Sequence, residues 1–230
     1  MGITIGIDGP SGSGKSTVSK EVARRNGLAY LDTGAMYRAA TWWVVRQEID
    51  LADEAAVTAC VADLPLIVPV DPDDQTILCD GTDITEAIRT HELSAVVSTV
   101  ASYFPVRDIL ISRQRDIIAA EQTPDSFSKG RGIVAEGRDI TTVVKPDADV
   151  RVLLTASEEA RLARRARELS GSADADVIEK TRDIVSGRDR QDSAVTRFME
   201  AADGVCTIDS SAMTILEAVE AVEDLAGRLT

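Results

Sequence analysis

Residues Gly9-Pro10-Ser11-Gly12-Ser13-Gly14-Lys15-Ser16 spell G-x-x-x-x-G-K-[ST], the spacing of a phosphate-binding loop. The chemistry follows from the residue types. Gly9, Gly12 and Gly14 let the backbone turn its amides toward an anion, Lys15 brings a point charge to terminal phosphates, and the Ser16 hydroxyl is placed to ligate magnesium. The alternative is a glycine-rich turn that binds nothing. The flanks argue for the functional reading: Ile3-Thr4-Ile5-Gly6-Ile7 is a β-branched run ahead of the loop, and Val18 and Val22 recur at helical spacing behind it. A strand leading through this loop into a helix predicts a grip on a nucleoside triphosphate.

Arginines suited to further phosphate groups fall in three clusters. Arg161, Arg164 and Arg165 share one helix face, either a phosphate-closing lid or a solvated face paired with Glu158 and Glu159. Glu136-Gly137-Arg138-Asp139 follows a strand candidate, and ligands of open α/β sheets lie beyond strand carboxyl ends, so Arg138 and Asp139 are candidates for the same crevice. Asp139 can alternatively cap the next helix. Arg188-Asp189-Arg190-Gln191-Asp192, read alone, is a mixed-charge solvated helix face. Asp32-Thr33-Gly34-Ala35-Met36-Tyr37-Arg38 also leaves a strand end for a helix. Thr33 can cap that helix, and Arg38 would face the crevice.

The elements that must position these residues alternate in a βα rhythm. Strands are expected at Ile3 to Ile7, Leu28 to Leu31, Gly132 to Ala135, Val150 to Leu154 and Val205 to Ile208. Helices are expected at Lys15 to Arg25, Ala35 to Gln47, Glu54 to Ala62, Ser157 to Glu168, Val177 to Arg190 and Thr214 to Leu229, with an amphipathic stretch from Val106 to Ala120. The stretch from about Leu64 to Tyr103 breaks the rhythm. Short apolar runs around Pro72-Asp73-Asp74 and Asp80-Gly81 predict a small β-rich insertion able to act as a substrate flap. Pro124 to Arg131 reads as a polar surface loop, and Ser170 to Asp174 as another between two helices. The expected fold is α/β: a three-layer P-loop fold with a five-stranded parallel sheet, in one domain spanning residues 1–230.

Composition narrows the partners. The 230 residues carry a net charge of −14, which argues against a polymeric nucleic-acid or membrane partner because polyanionic surfaces repel such a chain. Only 3% are aromatic, so aliphatic packing must dominate. Cys60, Cys79 and Cys206 are odd in number and widely spaced, and His91 is the lone histidine, so buried free thiols are expected rather than a disulfide framework or zinc site. No apolar run approaches about 18 residues and the chain enters its first strand at once, so a cytoplasmic protein is expected.

Taken together, Ile7-Asp8-Gly9-Pro10-Ser11-Gly12 with Lys15, the Leu31 to Arg38 segment, Glu86-Ala87-Ile88-Arg89, Glu136 to Asp139, and Arg188-Asp189 with Asp192-Ser193 resemble the bacterial cytidylate kinases, a branch of the nucleoside monophosphate kinases. The resemblance runs from the first strand to the last helix. It implies transfer of a phosphoryl group from ATP, with magnesium at Ser16, to CMP or dCMP by a monomeric enzyme. It assigns Gly9 to Ser16 with Thr17 to ATP, and makes Lys15, Arg38 and Arg138 catalytic. Asp32, Thr33, Arg38, Ser98, Arg107, Arg138, Asp139, Arg188 and Asp192 would bind CMP: Arg38 and Arg138 its phosphate, Ser98, Arg107 and Asp139 its base, Arg188 and Asp192 its ribose. The core would comprise 1–63 and 104–230, the CMP-binding insertion about 64–103, and the lid about 161–174, with Arg161, Arg164 and Arg165. One departure stands out. The family continues Asp-Ser-x-Arg and soon reaches Pro-Leu, whereas Ala194-Val195 follows Asp192-Ser193 here and Arg197 comes two places late.

Overall fold

The computed structural model describes residues 2–170, 174, 182, 189–190, 192–193, 196 and 198–227. Five strands, β1 (Ile3–Asp8), β2 (Ala29–Asp32), β6 (Gly132–Gly137), β7 (Val150–Thr155) and β8 (Cys206–Asp209), form a parallel sheet in the order β2-β6-β1-β7-β8. All five match the expected runs within two or three residues. Central β1 pairs with β6 from Ile3↔Gly132 to Asp8↔Gly137 and with β7 from Ile5↔Val150 to Asp8↔Leu153. The carboxyl ends of β1 and β6 therefore finish level and β7 runs two residues further, so the loops leaving them meet at one edge of the sheet.

Both faces of the sheet are covered, as near-continuous apolar strands require. On one side α1 (Lys15–Asn26) and α7 (Ile215–Gly227) bury Val18, Val22, Val219 and Val222 against Ile5, Ile7, Val152 and Leu154. On the other, α2 (Thr33–Arg46), α5 (Phe104–Ala120) and a π-helical turn, Ile140–Val144, place Met36, Ile111, Ile118 and Ile140 against Leu31, Ile133 and Ala135.

A second core lies between α2, α5, α3 (Glu54–Ala62) and the interrupting segment, where Val44, Val57, Val61, Ile84, Ile88, Val100 and Leu110 are buried together. That segment holds the three-stranded antiparallel sheet β3 (Leu66–Ile67), β4 (Leu78–Cys79) and β5 (Thr82–Asp83), but each strand is two residues long. Its principal element is instead a helix, α4 (His91–Ser102), so the description β-rich is corrected. Val96, Val97, Thr99 and Val100 favour a strand by intrinsic preference. Tertiary burial overrides it: Leu93, Val97 and Val100 recur at helical spacing and are buried, and Thr90 caps the helix by accepting from the Leu93 N–H.

Two smaller expectations also change. Cys79 is buried and Cys60 half-buried, but Cys206 is exposed because β8 is an edge strand. The loop from Pro124 to Arg131 is anchored rather than wholly superficial, since Ser128 is fully buried, its N–H donating to the Glu121 carboxylate at 2.9 Å. The expected helix from Val177 to Arg190 and the loop from Ser170 to Asp174 lie largely outside the described residues. Among the described residues no single helix is long and apolar enough to cross a membrane.

Candidate active site

The glycines of the phosphate loop do what a side chain would prevent. Gly14 caps α1 with φ +92°, a left-handed conformation costly for other residues. A Cβ on Gly9 would collide with the Leu154 carbonyl, so the loop lies directly on β7. The tightness buries Lys15, which is 9% exposed and donates from Nζ to the Pro10 carbonyl at 2.9 Å. Burial, with Arg138 adding repulsion, pushes its pKa down to about 8. An anionic ligand in the loop would reverse that shift.

The strand ends bring the other candidates to the same cavity of about 790 Å³, whose walls include the phosphate loop, Thr33, Arg38, Arg89, Arg107 and Arg138. At the end of β2, Asp32 rather than Thr33 caps α2, accepting from the Ala35 N–H at 2.8 Å and pairing with Arg38 at 2.9 Å. Thr33 instead donates to the Glu136 carbonyl at 2.7 Å, tying the neighbouring strand ends together. Burial opposes ionisation of Asp32, but Arg38 and the Ala35 amide outweigh it and hold the carboxyl below its usual range.

Strand β6, between β2 and β1, supplies the adjoining wall. Glu136 is buried, accepts from the Tyr30 hydroxyl at 2.5 Å and from Ser16, and has its pKa raised by burial and by Asp32. Arg138 spans the cavity, reaching the Gly9 carbonyl, Asp189 at 3.3 Å and Asp192 at 3.2 Å. Ser98 on α4 donates to the same Asp192 at 3.2 Å. Asp139 makes no side-chain cap to the following turn; it pairs with Arg107 from α5. Burial dominates its titration and pushes the pKa up to about 6.

Asp8 is a residue that sequence reading did not single out. It is buried at the end of β1 and accepts from the Ile140 N–H, the Thr141 N–H and the Thr141 hydroxyl at 2.7 to 2.9 Å. It therefore anchors the turn after Arg138 and Asp139, where a cap from Asp139 was the alternative reading. An acidic residue between an apolar strand and the first loop glycine was the available signal. Arg89 was likewise left out of the site, although its motif was noted; it lines the cavity at the end of the insertion's short 3₁₀ turn.

The arginines of α6 (Glu158–Ser170) are not a solvated face. Arg161, 7% exposed, donates to the Ser11 carbonyl at 3.0 Å and pairs with Asp189 at 2.5 Å. Arg164 donates to the Ser13 carbonyl at 3.2 Å and to Ser210. Both brace the phosphate loop from outside, while Arg165 lines the cavity. Arg188 and Arg197 lie outside the described residues.

A parallel five-stranded sheet with a phosphate loop leaving its central strand, and a cavity that this loop lines together with several arginines, defines a P-loop α/β protein. The cytidylate kinase family model matches residues 5–228. A protein named cytidylate kinase from Streptomyces avermitilis is 44% identical over 224 residues, covering 97% of this chain and 92% of its own. Another so named, from Cutibacterium acnes, is 46% identical over 225 residues, covering 97% and 95%, and one from Desulforamulus reducens is 43% identical over 221 residues, covering 95% and 94%. The chain belongs to the cytidylate kinase family.

Proposed function

We propose that this protein transfers the γ-phosphoryl group of ATP to CMP or dCMP, giving ADP and CDP or dCDP. One observation carries the reading: the Lys15 loop, Arg38 and Arg138 line a single cavity, which suits two phosphate groups held end to end. The acceptor phosphate is already anionic near neutrality and needs no general base. An oxygen of the CMP phosphate forms the new bond to the γ-phosphorus. The bond to the β,γ-bridging oxygen breaks, and its electron pair leaves with ADP. The protein's task is then positioning and charge neutralisation.

The loop amides from Gly9 to Ser16, with Thr17, cradle the donor phosphates. Lys15 sits against the transferring group, where the negative charge of the phosphates stabilises its ammonium. Arg38 and Arg138 hold the acceptor phosphate, with Asp32 and Thr33 shaping the floor beneath it. Asp139, Arg107 and Ser98 meet the base, Asp192 with Arg188 the ribose. Ser16 and Glu136 are hard oxygen donors hydrogen-bonded to one another, the type magnesium takes, and they fit that ion. Bound there, magnesium would neutralise charge on the donor phosphates. Residues of about 64–103 would form the acceptor flap and about 161–174, part of which lies outside the described residues, the lid, and their closure would exclude water.

The reading is completed by action as a monomer in the cytoplasm, where its substrates are soluble metabolites. The test is ADP release with a panel of acceptors. CMP and dCMP should stimulate turnover strongly, UMP less, and AMP, GMP and shikimate not at all. Equal ADP release with and without CMP would overturn the proposal.

A further inference from the structure

Asp189 has no part in the assignments above, yet it sits at the crossing of three of them. It is 5% exposed. One carboxylate oxygen accepts from the Ser11 N–H at 3.0 Å and from Arg138 Nη2 at 3.3 Å. The other accepts from Arg161 Nη1 at 2.5 Å, and the same Arg161 nitrogen donates to the Ser11 carbonyl at 3.0 Å. Both backbone polar groups of Ser11 are thus gripped from the side of Asp189.

Arg138 is immobilised from every direction by the same arrangement. Its Nε donates to Asp192 at 3.2 Å, Nη1 to the Gly9 carbonyl at 2.5 Å and Nη2 to Asp189, while the Phe198 ring lies 4.6 Å from its guanidinium carbon. A guanidinium carries five N–H groups. Two are left without a partner among the described residues, the number that a bidentate phosphate contact uses.

We infer that Asp189 is a positioning residue for phosphoryl transfer: one carboxylate holds the donor loop at Ser11 and the acceptor arginine Arg138 in a common frame. The free N–H pair of Arg138 is thereby aimed before substrate arrives, and the spacing of donor and acceptor phosphates is set by a single side chain. The charge matters as well as the shape. Asp189 lies between two guanidinium groups, and a neutral isostere would leave them to repel each other and Lys15.

This inference rests on the CMP-acceptor reading, and the experiment separates the two. Steady-state constants for CMP are measured for the wild type, Asp189→Asn, Arg138→Gln and the double variant, each normalised to its folded fraction from thermal melts. The Asn side chain keeps an oxygen for the Ser11 N–H but not the charge. We expect kcat/KM for CMP to fall roughly 10- to 100-fold in Asp189→Asn. The double variant should be no worse than Arg138→Gln, because the carboxylate acts through the guanidinium. A merely structural residue would instead multiply the two losses. That result, or a wild-type kcat/KM in folded Asp189→Asn, overturns the inference. Should Asp189→Asn not fold, Asp189→Glu keeps the charge one methylene further out; it should show a smaller loss with the same non-additivity, and multiplied losses there overturn the inference equally. A wild type with no CMP-stimulated turnover would sink the acceptor reading itself, whereas normal wild-type turnover with multiplied losses sinks only the role of Asp189.

Discussion

The proposed donor and acceptor halves of the cavity are built in opposite ways. The donor half is one contiguous loop whose shape comes from glycine conformations and whose charge comes from Lys15, with Arg161 and Arg164 bracing it through backbone carbonyls. The acceptor half is a set of ion pairs, one local, Arg38 with Asp32, and three between segments far apart in the chain, Arg107 with Asp139 and Arg138 with Asp189 and Asp192. A site held by backbone geometry tolerates loss of a side chain without moving, so its variants should lose chemistry alone. One held by mutual ion pairs should lose position, and with it affinity and selectivity, when any partner changes.

The largest effect should come from the donor half. Lys15→Ala is expected to lower kcat by about 10³-fold, since it removes a charge aimed at the transferring group. Its melting temperature should stay equal to or above that of the wild type, because the lysine is a buried charge whose ionisation the fold disfavours. Near-normal turnover in the folded variant would defeat the assignment of the loop; a large drop in melting temperature would defeat the contrast between the halves.

Arg138→Lys should produce the next largest change, on the order of 10- to 100-fold in kcat/KM for CMP, because lysine cannot reproduce a bidentate contact or the stacking on Phe198. Apparent affinity for ATP should change little. Equal weakening toward both substrates, measured by titrating each at saturation of the other, would mean that the halves are not separable at this residue.

Asp139 sharpens the comparison through selectivity. Cytosine offers an amino donor where uracil offers a carbonyl, and an ionised carboxylate can only accept. Asp139→Asn should reduce the CMP over UMP preference about 10-fold, chiefly by loss of CMP activity. The wild type should show a related pH trend. With its pKa raised to about 6, Asp139 gains a proton as pH falls through that value and becomes able to donate. The ratio of kcat/KM for CMP to that for UMP should therefore be high above about pH 6 and decline below it. Both monophosphates share a second ionisation near pH 6, which cancels in the ratio. A flat ratio from pH 5 to pH 8 would return Asp139 to a structural role.

The smallest expected effect tests the insertion that walls the acceptor half. Thr90→Ala removes the cap of α4 and should cost about 1 kcal/mol of stability by chemical denaturation, with kcat at saturating substrate unchanged. A cost near zero would show that packing of Leu93, Val97 and Val100 alone holds the helix.

The amino-acid sequence by itself determined the phosphate loop and the sheet. Glycine spacing, a lysine and a hydroxyl within eight residues dictate a local conformation without reference to anything distant, and the five apolar runs dictate five buried strands. It also placed Arg138 and Asp139 just beyond one strand end and Arg38 on the helix that leaves another. What it could not show was pairing, because an ion pair between residues 32 positions apart, such as Arg107 and Asp139, leaves no local trace. The tertiary structure alone decided that Asp32 caps α2 while Thr33 bridges strands, and that Asp8 anchors the turn after Asp139. It decided too that α4 is a helix despite its β-branched residues. The physical reason is common to all of these: each depends on burial, and burial is a property of what folds against a residue rather than of its neighbours in sequence.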